Sequence, residues 1–194
     1  MLRHQKALVV AVGVGLAATL STATAAYATL PAGTRVTAAL AKGTKLVFEF
    51  DLDTLAVTTT CTIFSFRAVI PKTASDSIRL RTPPTILGCQ DSIPGTDTVT
   101  ANQANRKWAL SVSPYALTLI IPKAGLTWRS SFDPRCTVTA APNSRVALTG
   151  SYNGNTVTIL DAPVPIVATG CPSGPTAVVS VTEVFNPSPG KPPF

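Results

Sequence analysis

The chain has 194 residues, 45% of them hydrophobic and 13% charged, with 16 Lys and Arg against nine Asp and Glu, a net charge of +7 at pH 7. That length supports one ordinary core or two small ones. The basic residues are scattered, with no run of five and no recognition-motif spacing, which argues against a nucleic-acid partner.

The first 28 residues read as a secretory signal peptide. Arg3, His4 and Lys6 precede an uncharged apolar run over residues 7–20, and Ala26-Tyr27-Ala28 supplies the small-x-small pattern of a cleavage site. An uncleaved anchor is the weaker reading, because residues 21–29 are mostly Ser, Thr and Ala and a spanning helix needs about 20 apolar residues. Cleavage after Ala28 leaves no histidine and takes the 16 basic residues to 14 against nine acidic ones, a net charge of +5 with no membrane span. Such a surface keeps an exported protein soluble and favours anionic partners: a cell-wall polymer, a lipid or another envelope protein.

Strand signals fill the remainder. Residues 45–53, KLVFEFDLD, alternate strictly, with Leu46, Phe48, Phe50 and Leu52 on one side and Glu49, Asp51 and Asp53 on the other. Further strands are expected at 34–40, 61–66, 77–81, 84–89, 96–101, 107–112, 115–121, 126–130, 136–140, 164–169 and 176–185, all rich in the β-branched residues that suit a pleated surface. Residues 145–160 read as a hairpin turning at Asn153-Gly154, which sets Leu148 opposite Ile159 and Gly150 opposite Val157. Seventeen prolines interrupt any long helix, and no 3.6-residue apolar period is present. The tail, residues 186–194, is Pro-rich and unsuited to a sheet.

An internal repeat organises these strands. CTIFSF at 61–66 matches CTVTAA at 136–141, and PTILGCQDSIPGTDTV at 84–99 matches PIVATGCPSGPTAVV at 165–179. Four cysteines in an exported chain read as two disulfides, and the repeat selects Cys61 with Cys89 and Cys136 with Cys171 out of three pairings. Zinc is disfavoured by the lack of a C-x-x-C pair or a nearby His. The expected fold is an all-β, disulfide-stabilised β-sandwich built from two similar halves, residues 29–104 and 105–185, forming one pseudo-symmetric domain or two tandem ones.

No catalytic, cofactor or metal site emerges. Without His, and with the cysteines paired, only carboxylate or Ser/Lys chemistry remains. Glu49, Asp51 and Asp53 are neighbours on one strand, whereas a glycosidase pair comes from different elements flanking a cleft. Ser188-Pro189-Gly190-Lys191 matches S-x-x-K, but Pro and Gly prevent the helical turn that chemistry needs. Trp108 shares an alternating face with Leu110 and Val112 and is expected in the core. Trp128, Phe132, Tyr115 and Tyr152 form a candidate ligand patch for sugar or lipid.

The Ala/Thr/Val/Pro-rich texture, the signal sequence and the paired Cys-Thr and Gly-Cys motifs over residues 29–185 resemble exported β-rich proteins of high-GC Gram-positive bacteria that carry no assigned function. The resemblance implies a cell-envelope or extracellular location and transfers no functional residue. At the level of general layout the chain is also similar to the actinobacterial chromoprotein carriers. Three functions are therefore weighed: a non-enzymatic protein binding or associating in the envelope or medium, a carrier of an apolar molecule between its sheets, and a carboxylate-dependent hydrolase of wall polysaccharide.

Overall fold

A computed structural model describes residues 32–52, 55–71, 77–93, 96–103, 107–112, 116–153 and 155–188; within the strands, the side chains of Val112, Tyr152, Pro187 and Ser188 are excepted. The expected signal segment and Pro-rich tail lie outside these residues, apart from residues 186–188. Thirteen strands run in chain order: β1 (Arg35–Leu40), β2 (Leu46–Leu52), β3 (Leu55–Val69), β4 (Ile78–Arg79), β5 (Thr85–Asp91), β6 (Asp97–Ala101), β7 (Ala109–Val112), β8 (Ala116–Ile121), β9 (Leu126–Ser130), β10 (Thr137–Ala140), β11 (Val146–Asn153), β12 (Thr156–Thr169) and β13 (Thr176–Ser188). The described residues contain no helix, so none is long and apolar enough to cross a membrane.

The architecture is a closed eight-stranded barrel with extra strands, which corrects the expected sandwich. Antiparallel ladders run β2-β3-β5-β6-β9-β10-β12-β13 and return to β2 through Val179↔Phe48. Closure satisfies strand edges that a sandwich leaves open. The ends of the long strands carry a second sheet: β1 lies between β3 and β13, and the start of β12 pairs β11, followed by β8, β7 and β4. Strands pair across the expected boundary at residue 104, with β1 and β2 on β13 and β6 on β9, so both halves contribute to one barrel and one core.

Three strands, β3, β12 and β13, belong to both the barrel and the outer sheet. β13 keeps strict alternation, burying Ala177, Val179, Val181, Glu183 and Phe185. β3 does not: it buries Val57, Thr59 and Cys61, then Phe64, Phe66 and Ala68, changing phase at Thr62-Ile63. Its partner β5 changes phase at the facing residues, Leu87-Gly88, with Gly88 at φ 65°. β12 makes the same change through a bulge between Ile159 and Ala162, with Asp161 at φ 48° and its N–H donating to Ser180 Oγ over 3.0 Å. A bulge inserts one unpaired residue and re-aims the strand, which lets one chain segment turn its apolar side inward in both layers.

The 145–160 hairpin forms in a register shifted by two from the expected one. Ser151 pairs Thr158 and Asn153 pairs Thr156, so Asn153 is a paired strand residue where the expected register put it in the turn. Because side chains alternate with period two, a two-residue shift leaves the buried face unchanged. Trp108 is buried as expected, its Nε1 donating to Asn102 O at 2.9 Å. Phe64, Phe66 and Phe185 pack edge-to-face in a chain, with centroids 5.9 and 5.8 Å apart.

Disulfides join Cys61 to Cys89 and Cys136 to Cys171, closing separations of 28 and 35 residues. A chain-entropy argument gives about 3.5 to 4 kcal/mol for loops of that size, by a mechanism that depends on the model of the unfolded state. Both half-cystines that follow a glycine do so for a backbone reason. Gly88 and Gly170 take positive φ, and a Cβ at Gly170 would meet the carbonyl oxygen of Arg135, the residue before Cys136. Gly170→Ala is therefore expected to lower stability by at least about 1 to 2 kcal/mol, read as a drop in the denaturation midpoint of the oxidised protein.

Glu183 is the exception within the apolar face of β13. It is 2% exposed, lies opposite Val157 and Leu40, and its Oε1 has no hydrogen-bond partner. Burial pushes its carboxyl up to about 8 from an ordinary 4.5. Between those values the folded protein keeps a proton that the unfolded chain has lost, so stability falls as pH rises through that window and levels off above it, at up to about 1.4 kcal/mol per pH unit. Glu183→Gln is expected to gain melting temperature over the wild type progressively from pH 5 to pH 8, whereas an advantage that is constant with pH would contradict this account.

Candidate functional site

The basic residues that look scattered in sequence meet on the outer face of the β4–β7–β8–β11 sheet. Arg79 of β4 is opposite Ala109 of β7, Ala109 is opposite Ile120 of β8, and Ile120 is opposite Ala147 of β11. This row sets two alanines and one isoleucine as a low floor, because small side chains leave depth between taller neighbours. Lys107, just before β7, and Arg145, just before β11, stand at the rim with Arg79, and all three are exposed. The result is a pair of adjoining hollows of about 380 and 360 Å³ that share Ser77, Ile120 and Arg145.

No Asp or Glu lines this trough among the described residues, and none of Arg79, Lys107 and Arg145 belongs to an ion pair among them. Three like charges around a concave floor focus a positive potential that a flat surface would disperse. Two guanidinium groups offer planar donor forks suited to carboxylate or phosphate, and Lys107 adds a mobile point charge. The arrangement offers cationic hydrogen-bond donors of the kind that pair with anions.

A second polar constellation sits inside the barrel wall. Asp91 of β5 and Asp97 of β6 converge beside Thr59 of β3 and Trp128 and Ser130 of β9. Ser130 Oγ donates to Asp91 Oδ2 over 3.1 Å and accepts the Phe132 N–H at 3.1 Å. Burial raises the Asp97 carboxyl to about 6 from 3.8, the adjacent carboxyl group of Asp91 and its negative charge add to the rise, and the nearby Trp128 and Thr59 donors oppose it.

Sequence reasoning missed this pair. Asp91 and Asp97 flank the turn SIPGT in a hairpin signal, and a cross-strand reading of that hairpin would have put them side by side. The acidic residues it did single out behave differently: Glu49 and Asp51 lie exposed on β2, and Asp53 is outside the described residues.

The expected aromatic patch loses its central member. Trp128 is 3% exposed and packs edge-on to Phe50, centroids 4.9 Å apart, because it lies on the inward face of β9 opposite Val99 and Val138. Phe132 points the other way, 66% exposed in the β9–β10 connection. The backbone of Tyr152 on β11 pairs that of Val157 on β12, and Tyr115 lies outside the described residues.

Among the described residues, an interior hollow lined by Phe48, Phe64, Trp108, Leu119 and Leu148 holds about 20 Å³, room for about one water molecule. The two disulfides fit an oxidising environment. No protein-family model, curated protein or solved structure matches the chain.

Proposed function

We propose that this protein is an exported, non-enzymatic β-barrel that acts in the cell envelope or surrounding medium by binding an anionic polymer along the trough of Arg79, Lys107 and Arg145. The convergence of three cations from separate elements on one concave floor carries this reading. The scaffold suits the role. Three antiparallel ladders, β4–β7, β7–β8 and β8–β11, hold the floor of the trough, which lowers the ordering cost of binding. A repeating phosphate or carboxylate chain would lie over the alanine and isoleucine floor with its charges at the rim. The small interior hollow gives a carrier of apolar molecules no comparable support.

The test uses polyphosphate and polygalacturonate as probes, measured by calorimetry against the wild type and the triple variant Arg79→Ala/Lys107→Ala/Arg145→Ala. At roughly 0.5 to 1 kcal/mol per screened contact, the triple variant is expected to lose at least about tenfold in affinity. The wild type should also weaken as salt rises, and the variant should respond less. Equal affinity of the two proteins for both polymers would overturn the proposal.

A further inference from the structure

Four neighbouring staves of the barrel bring hard oxygen ligands to one level of its inner face. Thr59 of β3 is directly opposite Asp91 of β5, and Asp97 of β6 is directly opposite Ser130 of β9. Among the described residues the β5–β6 ladder consists of one pair, Cys89↔Asp97, fewer than in any other seam of the closed barrel.

Among the described residues, seven buried side-chain atoms have no hydrogen-bond partner, and five belong to this cluster: Thr59 Oγ1, Asp91 Oδ1, both carboxylate oxygens of Asp97, and Trp128 Nε1. Buried polar atoms left unpaired cost free energy; the Trp128 N–H can only donate, and the other four are oxygens whose desolvation a cation would repay. Thr59 is the independent sign. It is fully buried, sits in the inward series Val57-Thr59-Cys61 where a valine would pack as well, and directs its hydroxyl at Asp97 without completing a well-formed hydrogen bond. Two carboxylates in contact repel unless a proton or a cation lies between them. Carboxylates mixed with hydroxyl oxygens in an irregular set suit calcium, which accepts flexible geometry and completes its shell with carbonyls and water.

We propose that Asp91, Asp97 and Thr59, with Ser130, form a calcium site in the barrel wall that ties β5 to β6 where the hydrogen-bond ladder is sparsest. The site is separate from the cationic trough. A bound calcium neutralises the facing carboxylates and fixes the seam by bridging Asp91 and Asp97, with an affinity in the range that extracellular calcium supports.

The full chain, stripped with EDTA at neutral pH, is melted with and without millimolar calcium chloride, against sodium chloride of matched ionic strength. Terbium is added in parallel, with its emission excited through tryptophan. Calcium is expected to raise the melting temperature by several degrees, and terbium emission is expected to appear and be chased by calcium. Asp97→Asn should abolish both responses while melting above the wild type in EDTA, because an amide beside Asp91 removes the repulsion. Thr59→Val should keep the EDTA melting temperature and weaken calcium binding at least about tenfold, and Asp51→Asn should leave both responses intact. A wild-type melting temperature that calcium moves no more than sodium chloride does would overturn the site, as would undiminished terbium emission from Asp97→Asn; in either case the two aspartates share a proton.

Discussion

The structure depends on three strands being long enough to serve two sheets at once. β3, β12 and β13 each supply one stave of the barrel and then continue into the outer sheet, so the two layers are joined by covalent backbone rather than by side-chain contact alone. A strand that does this must satisfy both layers' apolar faces. β13 manages it with unbroken alternation, whereas β3 and β12 change phase through irregular residues, and the hydrophobic core is continuous as a consequence. Removing any of the three would open the barrel, and removing β12 would also detach the sheet that carries the trough.

The disulfides and the left-handed residues act on the same framework. Cys61–Cys89 ties β3 to β5 one residue from the facing Thr62 and Gly88, where both strands change phase. Cys136–Cys171 ties the entrance of β10 to the exit of β12, next to Gly170. Cross-links at these points hold the geometry where regular pleating gives way, and each constrains an unfolded loop of about thirty residues. Asp161, which cannot rely on the freedom of glycine, is instead held by Ser180, whose hydroxyl accepts its N–H and donates to its carboxylate.

Polar groups are placed with a clear division. The exposed cations of the trough lie over a floor of small side chains on the sheet's outer face, where screening keeps single contacts weak and convergence gives them effect. The carboxyls of Asp97 and Glu183 lie inward, where burial holds their protons well above the usual carboxylate range. The Glu183 carboxyl faces an apolar wall, and its cost is carried by the rest of the core. Asp97 faces Asp91 and a hydroxyl, an arrangement with chemical capacity beyond packing. The exposed cations of the trough and the inward carboxyls thus lie on different faces of one sheet system.

Much of this was legible in the chain itself. Period-two alternation in KLVFEFDLD, the β-branched composition and the prolines determined an all-β protein, and nearly every expected strand overlaps an observed one, because a strand's own pattern records which of its faces is buried. The Cys-Thr and Gly-Cys segments selected the same two cysteine pairs that the structure joins. Barrel closure was not legible: it rests on ladders between segments far apart in sequence, β2 with β13 and β10 with β12, and alternation states that a strand pairs but not with which partner. The two-residue hairpin shift escaped for a related reason, since both registers bury the same side chains. The trough and the carboxylate pair were hidden in the same way. Arg79, Lys107 and Arg145 are separated by 28 and 38 positions and become neighbours only across three ladders, and Trp128 passed as a surface aromatic until the inward face of β9 was known. The sequence by itself determined local conformation and cross-links, which short-range sterics and composition dictate; only tertiary structure decided the closure, the facing of each side chain and the sites, because those depend on long-range hydrogen-bond register.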